Sequence, residues 1–128
     1  MIYGVGVDLA RISRVAEVWE RHGRRFEERV FTAAEADFCR KRLNPSACLA
    51  LRFAAKEAFA KAVGIGLRSS RLLWRDIEVA HDPRGKPYFN LLGTAARVAA
   101  EIGLTACHVS LTDEDGLAQA MVVVEVKP

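Results

Sequence analysis

Several things are scarce in this sequence, and each shortage narrows what the protein can be. No stretch of about 18 apolar residues occurs, so no membrane-spanning helix and no membrane partner are expected. The start, MIYGVGVDLARI, has no charged region followed by a long apolar stretch, and a signal peptide is not expected. Cysteine is limited to Cys39, Cys48 and Cys107, an odd number without CxxC spacing. That argues against a zinc site and leads us to expect reduced, mostly buried thiols in a cytoplasmic protein. Aromatic residues are only 8% of the chain and do not interleave with the arginines, so no base-stacking platform for nucleic acid is expected. The GxxxxGK loop of an ordinary nucleotide site is absent, and the GxG of GVGVD is too short for a dinucleotide fingerprint. Internal repeats, linkers and low-complexity segments are absent as well.

The 128 residues suit one compact domain, 1–128. Hydrophobic residues at 51% and charged residues at 27% are the composition of a folded globular chain. The net charge of +3 is unevenly spread: Arg11, Arg14, Arg21, Arg24, Arg25, Arg29, Arg40, Lys41 and Arg42 crowd the first third. Such a face attracts an anionic partner, whether nucleic acid, a phosphate ester or an acidic protein.

Apolar and small residues alternate from Ile2 to Leu9, which predicts a strand. Ile12, Val15, Ala16 and Trp19 then recur at helical spacing, giving a first helix that runs to about Gly23. Thr32 followed by Glu35 is a capping box and predicts a second helix from Ala33, which Asn44-Pro45 breaks. Cys48 to Val63 forms the longest helical pattern, closed by Gly64 and Gly66. A hairpin around Asp82-Pro83-Arg84-Gly85, a short helix ending at Gly103 and two strands around Asp113 to Gly116 complete the reading. The expected class is α+β, an antiparallel sheet packed on a long central helix.

The long helical pattern holds an oddity, RFAAKEAFAKAVGIG, in which Lys56, Glu57 and Lys61 are set into an apolar run. Glu57 and Lys61, four apart, share a helix face, and taken alone read as a surface salt bridge of a few tenths of a kcal/mol, ~0.3–0.5. Asp8, however, ends an otherwise apolar strand, where a carboxylate is costly to bury without a partner. Asp8 and Glu57 together offer hard oxygen ligands from separate elements, which suits magnesium and phosphoryl chemistry. Lys61 is placed to neutralise charge on a leaving phosphate.

Taken in order, GVGVDLARISRV, FTAAEADFC, RFAAKEAFAKAVGIG, DIEVAHDPRGKPYF and HVSLTDEDGLAQAMVVVE resemble the bacterial holo-acyl-carrier-protein synthases, the short phosphopantetheinyl transferases. The likeness covers nearly the whole chain and implies the phosphopantetheinyl transferase fold. It implies magnesium-dependent transfer of 4′-phosphopantetheine from coenzyme A to a serine of apo-acyl carrier protein, with release of adenosine 3′,5′-bisphosphate, in fatty acid or polyketide biosynthesis. By that likeness Asp8 and Glu57 hold the metal, and Lys61 binds the pyrophosphate and stabilises or protonates the leaving group. Either Glu57 or a metal-bound water takes the serine proton. The likeness also implies a homotrimer with coenzyme A between neighbouring subunits. Arg14, supported by Arg21 and Arg25, would dock the acidic carrier protein; Arg11 is a weaker match.

One departure stands out. Many members of the family carry a second histidine after HVS that helps hold the 3′-phosphate, and here Asp113 occupies that place. His108 and Ser110 of that strand are kept. The candidates left for the 3′-phosphate are His108, Lys86, Arg52 and Thr112. Two rival readings are a nucleic-acid-binding module, supported by the basic face, and an inactive structural trimer, which intact Asp8, Glu57 and Lys61 argue against.

Overall fold

The computed structural model describes residues 1–128. Strand β1 (Ile2–Arg11) leads directly into helix α1 (Ile12–His22). Gly23, at φ +53°, breaks the chain into a second short helix, α2 (Arg24–Val30), which the sequence pattern did not identify. Helix α3 (Ala33–Arg40) starts where the capping box places it: the Glu35 amide donates to Thr32 Oγ1, and the Thr32 amide donates to Glu35 Oε1. Helix α4 (Pro45–Val63) begins three residues earlier than the apolar pattern indicated. Asn44 caps it by accepting from the Ala47 amide, and Pro45 fits a first turn whose amide needs no partner, so the Asn-Pro pair opens this helix, whereas α3 has already ended at Arg40. Gly64, left-handed at φ +77°, stops it.

Strands β2 (Ile77–His81) and β3 (Pro87–Leu91) form the expected hairpin, its turn closed by Gly85 N–H donating to the Asp82 carbonyl at 2.9 Å. Helix α5 (Gly93–Ile102) follows, then β4 (Leu104–Glu114) and β5 (Leu117–Val126). The main sheet is antiparallel in the order β1-β5-β4, and β2-β3 is a separate two-stranded sheet. Helix α4 is buried almost all round and lies against the inner face of the main sheet, whose residues Ala118, Ala120, Val122 and Val124 complete the core. This is the expected α+β arrangement, with the long helix at its centre.

One sequence expectation is corrected. Cys39, in the last turn of α3, and Cys48, in the first turn of α4, are joined by a disulfide rather than left as free thiols, because the two helix ends bring their Cα atoms within 5.4 Å. Cys107 is a free thiol, its pKa pushed up to about 12 by burial. The two faces of β1 differ. Val5, Val7 and Leu9 are exposed on the outer face of the sheet, while Gly4, Gly6, Asp8 and Ala10 face the helix. The glycines are there for contact: a Cβ on Gly4 would fall 1.9 Å from the Ala62 carbonyl oxygen, and one on Gly6 would fall 1.8 Å from that of Ala58. With small residues on both sides, the β1 and α4 backbones approach more closely than side chains would allow.

Candidate active site

That close approach delivers the site. Asp8 is two residues beyond Gly6 on the same face of β1, so it emerges beside the stretch of α4 that carries Glu57 and Lys61. Lys61 Nζ donates to Asp8 Oδ1 at 2.9 Å and to the Val7 carbonyl at 3.1 Å. The helix-surface pair of Glu57 with Lys61 does not form; the lysine turns to the strand instead. Its pKa is raised, first by the hydrogen bond to Asp8 and then by the negative charges of Asp8 and Glu57, so Lys61 is a firm cation. Burial pushes the Glu57 carboxyl up from its ordinary value, and the neighbouring Asp8 charge adds to this.

Two clefts open on this group. One, about 350 Å³, is lined by Asp8, Glu57, Arg14 and the apolar Val15, Val18 and Phe53. The other, about 460 Å³, is lined by Glu57, Lys61, Gly66, Arg68 and Trp74. Glu57 belongs to both. No three His, Cys, Asp or Glu side chains form a cluster of the kind that encloses a metal. Two carboxylates on one open cleft are still a donor set that fits magnesium, which takes one or two protein carboxylates and fills its shell with water and phosphate oxygens.

Arg14 and Arg21 stand seven apart on α1, two helical turns, and both are exposed; Arg25 is exposed on α2. None of the three makes an ion pair within the chain, and Arg14 reaches the cleft of Asp8 and Glu57.

The remaining predicted residues lie elsewhere. Register puts His108, Ser110 and Thr112 opposite Val123, Met121 and Gln119 on the outer face of the sheet, away from Asp8. His108 is bonded there to Glu125 at 2.7 Å. Lys86 is exposed in the β2–β3 turn. Within one chain the structure therefore gathers Asp8, Glu57, Lys61 and Arg14, and does not bring His108, Ser110, Thr112 or Lys86 to them.

Arg52 is different again. Five residues before Glu57 on α4, it points roughly 140° around the helix, by the 3.6-residue turn, into a third cleft. This cleft is about 640 Å³ and is also lined by Phe38, Arg42, His81, Asp82 and Pro87. Arg52 is only 3% exposed and pairs with no carboxylate. Its Nη1 donates to Cys48 Sγ at 3.1 Å and its Nη2 to His81 Nδ1 at 3.2 Å. Its Nε is the one buried side-chain polar atom in the molecule without a partner. Desolvation lowers its pKa. Sequence reasoning named Arg52 for the site, read Arg42 only as part of the basic face and missed His81, since no local pattern ties these residues to Arg52.

Comparison with known proteins places the fold in a family. Residues 4–119 match the model of the 4′-phosphopantetheinyl transferase superfamily. The holo-[acyl-carrier-protein] synthase of Methylobacterium radiotolerans is 49% identical, with all of this chain and 96% of that protein covered. The crystal structure of the holo-[acyl-carrier-protein] synthase of Neisseria meningitidis superposes with a TM-score of 0.89 at 38% identity, covering 98% of this chain and 99% of that one. The Bacillus anthracis holo-(acyl-carrier-protein) synthase, in a complex with CoA (3′,5′-ADP), superposes with a TM-score of 0.81 at 31% identity over 99% of both chains. With its fold and its full-length relatives in agreement, the chain belongs to the 4′-phosphopantetheinyl transferase superfamily, among the holo-[acyl-carrier-protein] synthases.

Proposed function

We propose that the chain moves the 4′-phosphopantetheine arm of coenzyme A onto a serine hydroxyl of an apo-acyl carrier protein of the fatty acid or polyketide type, with magnesium, and releases adenosine 3′,5′-bisphosphate. The observation that carries this is the convergence of Asp8, Glu57 and Lys61 where β1 crosses α4. The serine oxygen attacks the phosphorus bearing the pantetheine arm. The bond from that phosphorus to the bridging oxygen breaks, and its electron pair leaves with the adenosine bisphosphate. Lys61, held charged, meets the negative charge that builds on this leaving group. Glu57, whose carboxyl is a stronger base than an ordinary one, accepts the serine proton when free to do so. Asp8 and Glu57 would hold the magnesium, which when bound neutralises pyrophosphate charge and acidifies its water ligands.

Arg14 lines the same cleft as Asp8 and Glu57, so an acidic carrier resting on Arg14, Arg21 and Arg25 presents its serine next to the acids. Arg52 is our choice for the 3′-phosphate among the four candidates. A buried guanidinium without a carboxylate and with an idle Nε is costly unless an anion completes it. Because Arg52 and Glu57 open into different clefts, and His108, Ser110 and Thr112 face outward, one coenzyme A is best served by two copies of the chain. The exposed apolar residues Ile2, Val5, Val7, Leu9 and Met121 on the outer sheet face supply the surface for a closed trimer. A scattering mass of one chain, 14.1 kDa, for the active enzyme would overturn this assembly.

The direct test is mass spectrometry of an apo-acyl carrier protein incubated with coenzyme A, magnesium and this chain. A gain of one phosphopantetheine arm on serine is expected; an unmodified carrier at high enzyme concentration would reject the reading.

A further inference from the structure

The third cleft holds a histidine that neither the reaction nor the sequence reading uses. His81 ends β2, and its ring lies flat on Phe38, with centroids 5.3 Å apart and planes 12° from parallel. The same phenyl ring carries two guanidinium groups, Arg52 at 4.6 Å and Arg42 at 5.1 Å from its centroid. A guanidinium has no lone pair to offer, so in the 3.2 Å contact with Arg52 Nη2 it is His81 Nδ1 that accepts. The ring is therefore neutral, with its proton on Nε2. Desolvation favours that form, as do Arg52 from α4 and Arg42 from the α3–α4 turn, while Asp82, the next residue, opposes it. Asp82 has its Oδ1 engaged by the backbone amides of Arg84 and Lys86.

Arg52 has two protein acceptors. One is a sulfur of the disulfide, Cys48 Sγ, which is a weak acceptor; the other is the imidazole nitrogen. The rotation of the guanidinium plane between Phe38 and the cleft is thus set mainly by His81. Holding Nη2 on the imidazole fixes the guanidinium against Phe38 at the wall of the cleft, its buried Nε still without a partner.

We propose that His81 is a positioning residue for Arg52 and determines how strongly the enzyme prefers coenzyme A, which bears a 3′-phosphate, over 3′-dephospho-coenzyme A, which does not. This rests on the reading of Arg52 as the 3′-phosphate ligand. The phosphate monoester is recognised by a guanidinium turned to offer its hydrogen bonds, and an imidazole acceptor behind it fixes that orientation before the nucleotide arrives.

The test compares kcat/KM for coenzyme A and for 3′-dephospho-coenzyme A in the intact enzyme and in His81→Leu, His81→Asn and Arg52→Met. His81→Leu is expected to raise the KM for coenzyme A about tenfold, the scale of one lost hydrogen bond to a charged group, with kcat and the dephospho substrate little changed. His81→Asn, whose Oδ1 takes the place of Nδ1, restores most of the preference. Arg52→Met abolishes it. Equal losses on both substrates in His81→Leu would make His81 merely structural and overturn the proposal. So would a preference that survives in His81→Leu but is lost in Arg52→Met. A preference that survives in both variants would remove the phosphate from this cleft altogether, while phosphopantetheine transfer by the unmodified enzyme would still stand.

Discussion

Helix α4 carries two lysine–carboxylate pairs of nearly equal length, Lys56–Glu35 at 2.8 Å and Lys61–Asp8 at 2.9 Å, and they sit in opposite surroundings. The side chains of Lys56 and Glu35 are 0% and 1% exposed, and every bonding position of the ammonium is used. Its three protons go to Glu35 Oε1, the Trp74 carbonyl and the Ile77 carbonyl. Glu35 also accepts from the Thr32 and Val79 amides, so this pair ties α3, α4 and β2 together. Lys61 is 55% exposed, bonds to two oxygens and keeps the rest of its ammonium open to a cleft. A saturated ion pair has no capacity left for a ligand, whereas an unsaturated one at a cleft does. Pair distance alone does not separate structure from chemistry; what separates them is how many bonding positions remain free.

Three measurements would break or sharpen this contrast. The largest effect is expected for Lys56→Ala, which strands the buried Glu35 carboxylate. The loss should be about 3–5 kcal/mol of folding stability, read as the shift of the urea midpoint. A variant melting close to the parent would mean that the pair contributes little to the fold. Lys61→Ala should fold almost normally, since an exposed pair contributes about 0–1 kcal/mol. Its transfer rate should nevertheless fall about 10²–10³-fold, the scale for removing one preorganised charge-stabilising group. Near-normal turnover with saturating coenzyme A would take Lys61 out of the chemistry.

The smallest effect on stability concerns Glu57. Its carboxyl pKa is raised in the folded state above the ordinary 4.5, so ionising it on folding is unfavourable. The folded protein therefore binds the proton more tightly than the unfolded chain. This strain is fully present above the folded pKa and relaxes as the pH falls through it toward 4.5. In magnesium-free buffer Glu57→Gln should melt slightly higher than the parent at neutral pH, with the difference shrinking on acidification; with magnesium supplied, its transfer should be nearly abolished. A variant that melts lower at neutral pH would show that the carboxylate stabilises the fold.

Much of this was legible in the linear order of residues because its causes are local. Thr32 and Glu35 announce a helix start, since a capping box involves only neighbours in the chain. The Asp-Pro-Arg-Gly turn and the glycine stops are read in the same way. Other features depend on which elements meet. The apolar alternation of β1 identified a strand, but Val5, Val7 and Leu9 turned out to face outward, because the glycine face was needed to reach α4. The second role of Glu35 depends on Lys56, 21 residues away. Arg52, Arg42 and His81 meet only because α4, the α3–α4 turn and the β2–β3 hairpin surround one cleft.

The sequence by itself determined most element types and the α+β class, and offered the acids and lysine of the candidate site, because periodicity, capping and residue chemistry are properties of short stretches. It also carried the small residues Gly4, Gly6, Ala58 and Ala62 without revealing their use. Only the tertiary structure decided which lysine is a buried tie and which faces the cleft, which face of β1 is covered, which cysteines are joined, and that Arg52 is buried without an acid. Burial and bond saturation are set by every element packed around a side chain, and those neighbours are far apart along the chain.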